Sequence, residues 1–499
     1  MKKERPYLYA LVTLFIIAAA LRIYISMQNP NFSNDAYFIE RQVDSIKTTL
    51  LPTYDDELSY RGRFIIFQPG YYYLLAPFAL VMGTQLTLKI IPNILASLLI
   101  FVTYLIVMHI TKNRPAALIS AFASASIPVF LATTVNSASI YSLTIPLVMY
   151  MMYCFMRLKE KKFLNQFIIL AAILSITSAI AFLVVLGLLI YLLLTRLEYK
   201  TENKKEVEII LFSAFLVIWV NIIVFKKAFL AHSYALIWQN IPVQVMENFF
   251  KEISMVDAVT GIGIIPLLFG VFAIHQYMLK EKDRRTYLLM AFALSVAFLL
   301  WFKMITFSAG LMFLGAILVP LFGQSLNRLM EYLEKTKISR AKPLVVAAIV
   351  VLLATTSLAP AIARGVITTG QAITQADTEA MKFLKEETPE GSVVLTTIRE
   401  GYMVTALANR KNVADNNFIL VRNPSEIYDD IETIYKSILK TKAVELLNKY
   451  DVNYIYLSPR TKNQFGIEEL KFAEPDCFEP VYDKEIKIYK TLCIIKTAQ

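Results

Sequence analysis

Residues 27–68 gather carboxylates, guanidinium groups and tyrosines into one polar stretch between two apolar ones. The stretch runs through Ser33-Asn34-Asp35-Ala36-Tyr37, Glu40-Arg41, Asp44, Tyr54-Asp55-Asp56-Glu57 and Tyr60-Arg61-Gly62, and closes at Gln68-Pro69-Gly70. A carboxylate such as Asp35 can ligate a hard divalent cation or take a proton as a general base. Guanidinium groups such as those of Arg41 and Arg61 can hold phosphate oxygens in pairs. Together they suit a phosphorylated, sugar-bearing ligand. The plainer readings are an Asp35 that caps the helix expected over residues 36–46, and Arg41, Arg61 and Arg63 lying against lipid headgroups.

Other chemistries leave no trace. There is no Gly-rich phosphate loop, no HExxH pair and no GxSxG elbow, and the three histidines, His109, His232 and His275, are far apart in sequence. Energy from nucleotide hydrolysis is therefore not expected. Almost every acid lies in a loop, which argues against a proton-coupled transporter with carboxylates along its spans.

The elements that must position the loop are set by composition. A mean hydropathy of +0.53, with repeated apolar runs of about 20 residues, describes a polytopic α-helical membrane protein. Runs near residues 7–26, 87–110, 115–132, 140–156, 164–179, 180–195, 207–225, 259–279, 286–302, 305–326 and 343–363 predict eleven spans. The stretch Gly70–Gly83 is about 14 residues long, too short for a helix to cross, and reads as an outer-surface or re-entrant helix. The first run has a basic start like a signal peptide but no small-residue cleavage site, so it reads as a retained anchor. Arg22 at its far end is expected to snorkel to the outer headgroups or to serve a functional role.

Basic residues gather in alternate short loops: Lys2, Lys3 and Arg5; Lys112 and Arg114; 157–162; 196–205; 280–285; and 328–342. This places the N-terminus inside, and residues 27–68, 133–139, 226–258 and everything after Arg364 outside. The expected location is the plasma (cell) membrane. The net charge of +11 belongs to the membrane portion, since residues 365–499 carry 17 basic and 20 acidic side chains. It reflects topology and anionic lipid rather than nucleic acid.

Two domains follow: residues 1–364, a transmembrane domain with outer loops 27–68 and 226–258, and residues 365–499, a small exterior α/β domain. In the latter, 377–387 reads as an amphipathic helix, 392–397 as a valine-rich strand, 426–450 as helix and 452–457 as strand. Cys477 and Cys493 allow either a disulfide or two free thiols. Asn409-Arg410 and Asp415-Asn416-Asn417 fit an acceptor cleft or a tight turn, with the turn favoured for Asn416 and Asn417.

Arg22, Asn34-Asp35-Ala36-Tyr37 and the return to the membrane at Gln68-Pro69-Gly70-Tyr71-Tyr72-Tyr73 resemble the start of the GT-C fold glycosyltransferases, which take sugars from polyprenyl-phosphate carriers. The tail is similar to the archaeal type of oligosaccharyltransferase catalytic subunit, through Ala380-Met381-Lys382-Phe383-Leu384, Glu387-Thr388-Pro389, Gly401-Tyr402, Ala408-Asn409-Arg410 and Ala414-Asp415-Asn416-Asn417. The resemblance implies a Mg or Mn ion held by acids of the outer loops, with Asp35 and Glu247 as catalytic and metal-ligating residues. It also implies Arg41, Arg61, Lys303 and Arg410 as substrate-binding groups. The partners implied are membrane lipid, a polyprenyl-phosphate-linked or dolichyl-linked sugar donor, and a protein, glycan or lipid acceptor, with a partner subunit left open.

The departures are equally specific. Where the resemblance implies a Trp-Trp-Asp-Tyr-Gly signature that reads the acceptor, this chain has Thr397-Ile398-Arg399-Glu400-Gly401, with a cation in place of the acid. The short outer loop that should hold a second acidic pair reads Val135-Asn136-Ser137-Ala138-Ser139. Lys303 stands where an arginine is implied. An active lipid-dependent glycosyltransferase with a changed acceptor is expected. The alternative is a non-catalytic relative that binds polyprenyl lipid, glycan or a partner subunit.

Overall fold

A computed structural model of the chain describes residues 5–199, 204–251, 254–279, 283–336 and 339–494. Lys2, Lys3, Glu252 and the parts of the basic loops at 200–203, 280–282 and 337–338 lie outside the described residues. The chain divides into two compact units. One comprises residues 1–29, 68–226 and 248–370, and the other residues 30–67, 227–247 and 371–499.

The first unit is helical and apolar. Its central helix, Phe307–Glu334, is apolar on nearly every face, and burial follows: Leu311, Met312, Phe313, Ile317, Val319 and Phe322 are all enclosed. At Gly323 a Cβ would run into Ser120 Oγ and the Val107 methyl groups, so only glycine lets the neighbouring helices approach this closely.

Among the described residues seven helices are long and apolar enough to cross a membrane, or up to nine if each of two bent pairs is one span. The chain is a multi-pass membrane protein. Both bends fall inside runs that read as single spans. Residues 114–134 bend by 44° before Pro128, and residues 255–277 bend by 88° at Gly263, whose φ of +101° favours glycine. The two remaining runs form helices Tyr141–Met156 and Lys161–Thr177, of 16 and 17 residues. Gly70–Met82 forms the short helix expected there, 13 residues long.

Arg22 does not snorkel. It is 4 % exposed, with its guanidinium bonded to Asn93 Oδ1 (3.2 Å) and Thr134 Oγ1 and stacked over Phe130. Polar partners on neighbouring helices remove the need to reach for the headgroups.

The second unit is α/β. Its larger sheet has five strands: β1 (Val393–Leu395), β2 (Lys411–Asn412), β3 (Tyr454–Leu457), β4 (Phe478–Asp483) and β5 (Lys487–Thr491), in the order β2-β1-β3-β5-β4. β1 lies parallel to both β2 and β3, and β5 runs antiparallel to β3 and β4. β1 and β3 are wholly buried, which is why they read as continuous apolar runs rather than alternating ones. Tyr435 anchors the core beneath them by donating its hydroxyl to the carbonyls of Leu395 and Tyr456.

Helix Gln375–Glu387 begins in a capping box made by Thr374 and Asp377. The segment that reads as one helix over 426–450 is two, Pro424–Lys436 and Lys440–Lys449, parted at Ser437. The β4–β5 hairpin has no counterpart in the sequence pattern, and a Cys477–Cys493 disulfide ties its base.

Candidate functional site

Asp35 is the second residue of helix Asn34–Thr49, whose N-cap is Ser33. It therefore lies in the first turn, where the helix dipole favours a carboxylate, and it is not the capping residue. Its Oδ1 accepts a hydrogen bond from Asn416 Nδ2 at 2.9 Å. The side chain keeps contact with solvent, yet the dense protein around it desolvates the charged form and raises its pKa. The Asn416 amide and the Arg399 guanidinium pull the pKa back down. A carboxylate shifted upward, oriented by an amide and approached by a cation is suited to accept a proton.

One turn further along, Glu40 is pushed to about 7 by burial and by the charge of Asp44. Its Oε2 is buried with no hydrogen-bond partner.

Asp415 organises the loop that carries Asn416. It is fully buried and accepts hydrogen bonds from Ser59 Oγ (2.7 Å), Asn412 Nδ2 (3.2 Å), Arg63 (3.2 Å) and the Asn417 backbone N–H (3.0 Å). Tyr60 adds its hydroxyl to the Asp415 carbonyl at 2.7 Å. Residues 59–63 and 412–417 are thereby locked together, and the position of Asn416 with them.

Arg399 sits exposed on the turn Ile398–Glu400. Its neighbour Glu400 is buried and accepts from Ser458 (2.6 Å), Thr397 (2.8 Å) and Thr461 (3.1 Å). At Gly401 a Cβ would overlap the Ala414 carbonyl, so the turn and the 414–417 loop touch backbone to backbone.

The other residues singled out from sequence are spread through the chain. Arg41 forms a two-pronged ion pair with Asp56, both bonds 2.9 Å. Burial would raise the Asp56 pKa, but the Arg41 bonds and charge hold it below its ordinary value. Arg61 pairs with Asp451 at 3.2 Å and lies over Tyr450. Arg410 is 3 % exposed and donates to Thr388 Oγ1 (3.0 Å) and to the carbonyls of Lys385 (2.8 Å) and Thr388 (2.5 Å), bonds that hold the tail together. Glu247 is exposed on helix Val243–Lys251, from which Val245 packs against the core of the tail. Lys303, exposed and at φ +54°, follows helix Arg284–Trp301 in the other unit.

That unit contains a polar cluster that sequence reasoning missed. Lys89, 4 % exposed on helix Thr84–Ser97, donates to the Ser26 carbonyl (3.0 Å), the Asn29 carbonyl (2.8 Å) and Asn136 Oδ1. Asn93, one turn on, donates to the carbonyls of Lys89 (2.8 Å) and Val135 (2.9 Å) and accepts from Arg22. A lysine and an asparagine within an apolar span were the available signal.

The Asn136 loop, where the resemblance implies acidic ligands for a divalent cation, does not fit one, since residues 135–139 hold no carboxylate. Among the described residues no three of His, Cys, Asp and Glu come together as ligands. The Asn136 loop offers an amide that already faces an ammonium.

In fold the chain is similar to solved structures of the GT-C type. Among solved structures similar to this chain are the apo oligosaccharyltransferase of Archaeoglobus fulgidus (TM-score 0.66, 14% identity, 90% of this chain and 69% of that one) and apo ArnT from Cupriavidus metallidurans (TM-score 0.59, 11% identity, 96% and 97%). A third is the arabinofuranosyltransferase AftD from Mycobacteria (TM-score 0.55, 12% identity, 96% and 40%). The archaeal enzyme has also been solved with zinc and sulfate and with an inhibitory peptide and a dolichol-phosphate, and ArnT with undecaprenyl phosphate. No protein-family model matches the sequence, and no curated protein matches it.

Proposed function

We propose that this chain is a membrane glycosyltransferase that moves a sugar or oligosaccharide from a polyprenyl phosphate or pyrophosphate carrier to an acceptor on the outer face. The observation that carries the reading is the Asp35 carboxylate, raised in pKa and oriented by Asn416, in a chain of GT-C fold. Asp35 takes the proton of the acceptor nucleophile as that atom bonds to the anomeric carbon. The bond from that carbon to the carrier phosphate breaks, and the phosphate leaves with the electron pair. Arg399, which helps to hold the Asp35 pKa down, faces the incoming acceptor with positive charge. Glu247 is the second acid of the outer loops, and Lys303 the cation of the membrane unit nearest in role to a phosphate-binding arginine. Membrane lipid and the carrier are the partners, with a protein, glycan or lipid as acceptor.

In this reading the membrane portion is residues 1–364, with its N-terminus inside the cell membrane, and residues 365–499 stand outside. The Cys477–Cys493 disulfide supports an oxidising exterior for the tail.

A non-catalytic, lipid- or glycan-binding relative is the second reading. It is favoured by the commitment of Arg41, Arg61 and Arg410 to partners within the protein and by the absence of a carboxylate at 135–139. Transfer assays with labelled polyprenyl-phosphate and polyprenyl-pyrophosphate sugars separate the two. Product that disappears in Asp35→Ala supports the enzyme. Lipid binding without product from any donor supports the relative.

A further inference from the structure

We infer that the fixed positive charge at the Asn136 loop is the ammonium of Lys89, and that this chain takes no divalent cation there. Among its bonds Lys89 donates to the Ser26 and Asn29 carbonyls and to Asn136 Oδ1, and residues 135–139 contain no carboxylate. Neutral oxygens suit a single positive charge. A doubly charged hard ion draws carboxylates, and one brought to Asn136 Oδ1 would meet the ammonium already bonded to that atom.

The arrangement is held from behind. Asn93 fixes the Val135 carbonyl and the Lys89 carbonyl, and Arg22 donates to Asn93, so a second buried cation stands in the same network. Burying a lysine in an apolar span is expensive and marks a functional position. In the proposed function, on which this step rests only for its activity, Lys89 keeps a single fixed positive charge at the Asn136 loop in place of a bound metal.

The test is a Mn²⁺ titration of the purified full chain in nanodiscs, followed by electron paramagnetic resonance. The wild type is expected to leave the signal of free Mn²⁺ undiminished, and its transfer activity is expected to survive EDTA. Lys89→Gln combined with Asn136→Asp, which removes the cation and restores an acid, is expected to silence about one equivalent of Mn²⁺. One equivalent silenced by the wild type and released by Asn136→Ala would overturn the inference. So would a monodisperse double variant that binds none. If the double variant does not fold, the wild-type titration decides alone. Absence of transfer with and without metal would contradict the proposed function, while the Mn²⁺ titration would still decide whether a cation binds at the Asn136 loop.

Discussion

Both units bury charge, and among the described residues the buried acids belong to the α/β unit. In the α/β unit Asp415 is ringed by Ser59, Asn412, Arg63 and a backbone N–H, and Glu400 by three hydroxyls, while one cation, Arg410, is buried there as well. In the membrane unit the buried charges among the described residues are cations, Arg22 and Lys89, whose partners include amides, a hydroxyl and carbonyls. An acid whose lone pairs are filled by its own chain has little left for a ligand and serves as a structural hub. A cation bonded to neutral oxygens keeps its net charge, and that charge still acts on any anion that approaches. The difference makes Asp415 and Glu400 structural hubs of the α/β unit, and leaves Lys89 a buried charge of the membrane unit.

The largest effect tests the hub. Asp415→Ala removes an acceptor from each of Ser59, Asn412 and Arg63 and should cost roughly 3–5 kcal/mol, read as a fall in the thermal midpoint of the purified protein. A loss under about 1 kcal/mol would mean that loops 59–63 and 412–417 hold together without it. On the cation side, Asn93→Leu removes an acceptor from Arg22 and frees the Val135 carbonyl, for an expected loss of about 2–3 kcal/mol.

Glu40 sharpens the contrast by breaking its rule, since it is a largely buried acid with one oxygen unpartnered. Its folded pKa is about 7, against 4.5 for the ordinary group. Between those values the folded state holds the proton and the unfolded state does not, so stability falls as pH rises through that window and levels off above it. Glu40→Gln should flatten this slope and stabilise the protein at pH 8 by no more than about 3 kcal/mol, which melting at pH 5 and pH 8 would reveal. The smallest effect belongs to Arg61→Ala. Its partner Asp451 is 80% exposed, and the change should cost under about 1 kcal/mol and, if Arg61 is only structural, leave lipid binding intact.

The fold was legible where local signals are strong. Apolar runs gave the helices, valine-rich Ser392–Thr397 gave β1, and the loop around Asp35 stood out by its mixture of residue types. The bends before Pro128 and at Gly263 were not legible, because hydropathy averages across them. The β4–β5 hairpin was hidden in a polar segment without clear alternation. In the candidate site, Asp35 could be picked from its setting, but its partner Asn416 lies 381 positions away and reads locally as a turn residue. Sequence shows the guanidinium groups of Arg41, Arg61 and Arg410 and hides the acids and carbonyls to which they bond. Lys89 was hidden for the opposite reason, since one lysine barely lowers the hydropathy of the run that contains it.

The central claim is that Asp35 acts as the base of a sugar transfer. Its most direct test is transfer from labelled polyprenyl-linked sugars in membranes carrying the wild type, Asp35→Ala or Asp35→Asn, with lipid binding and thermal midpoint measured in parallel. The account predicts product from the wild type, none from either variant, and midpoints and lipid binding close to the wild type's, because an exposed carboxylate contributes little to stability. Substantial product from Asp35→Asn would contradict it.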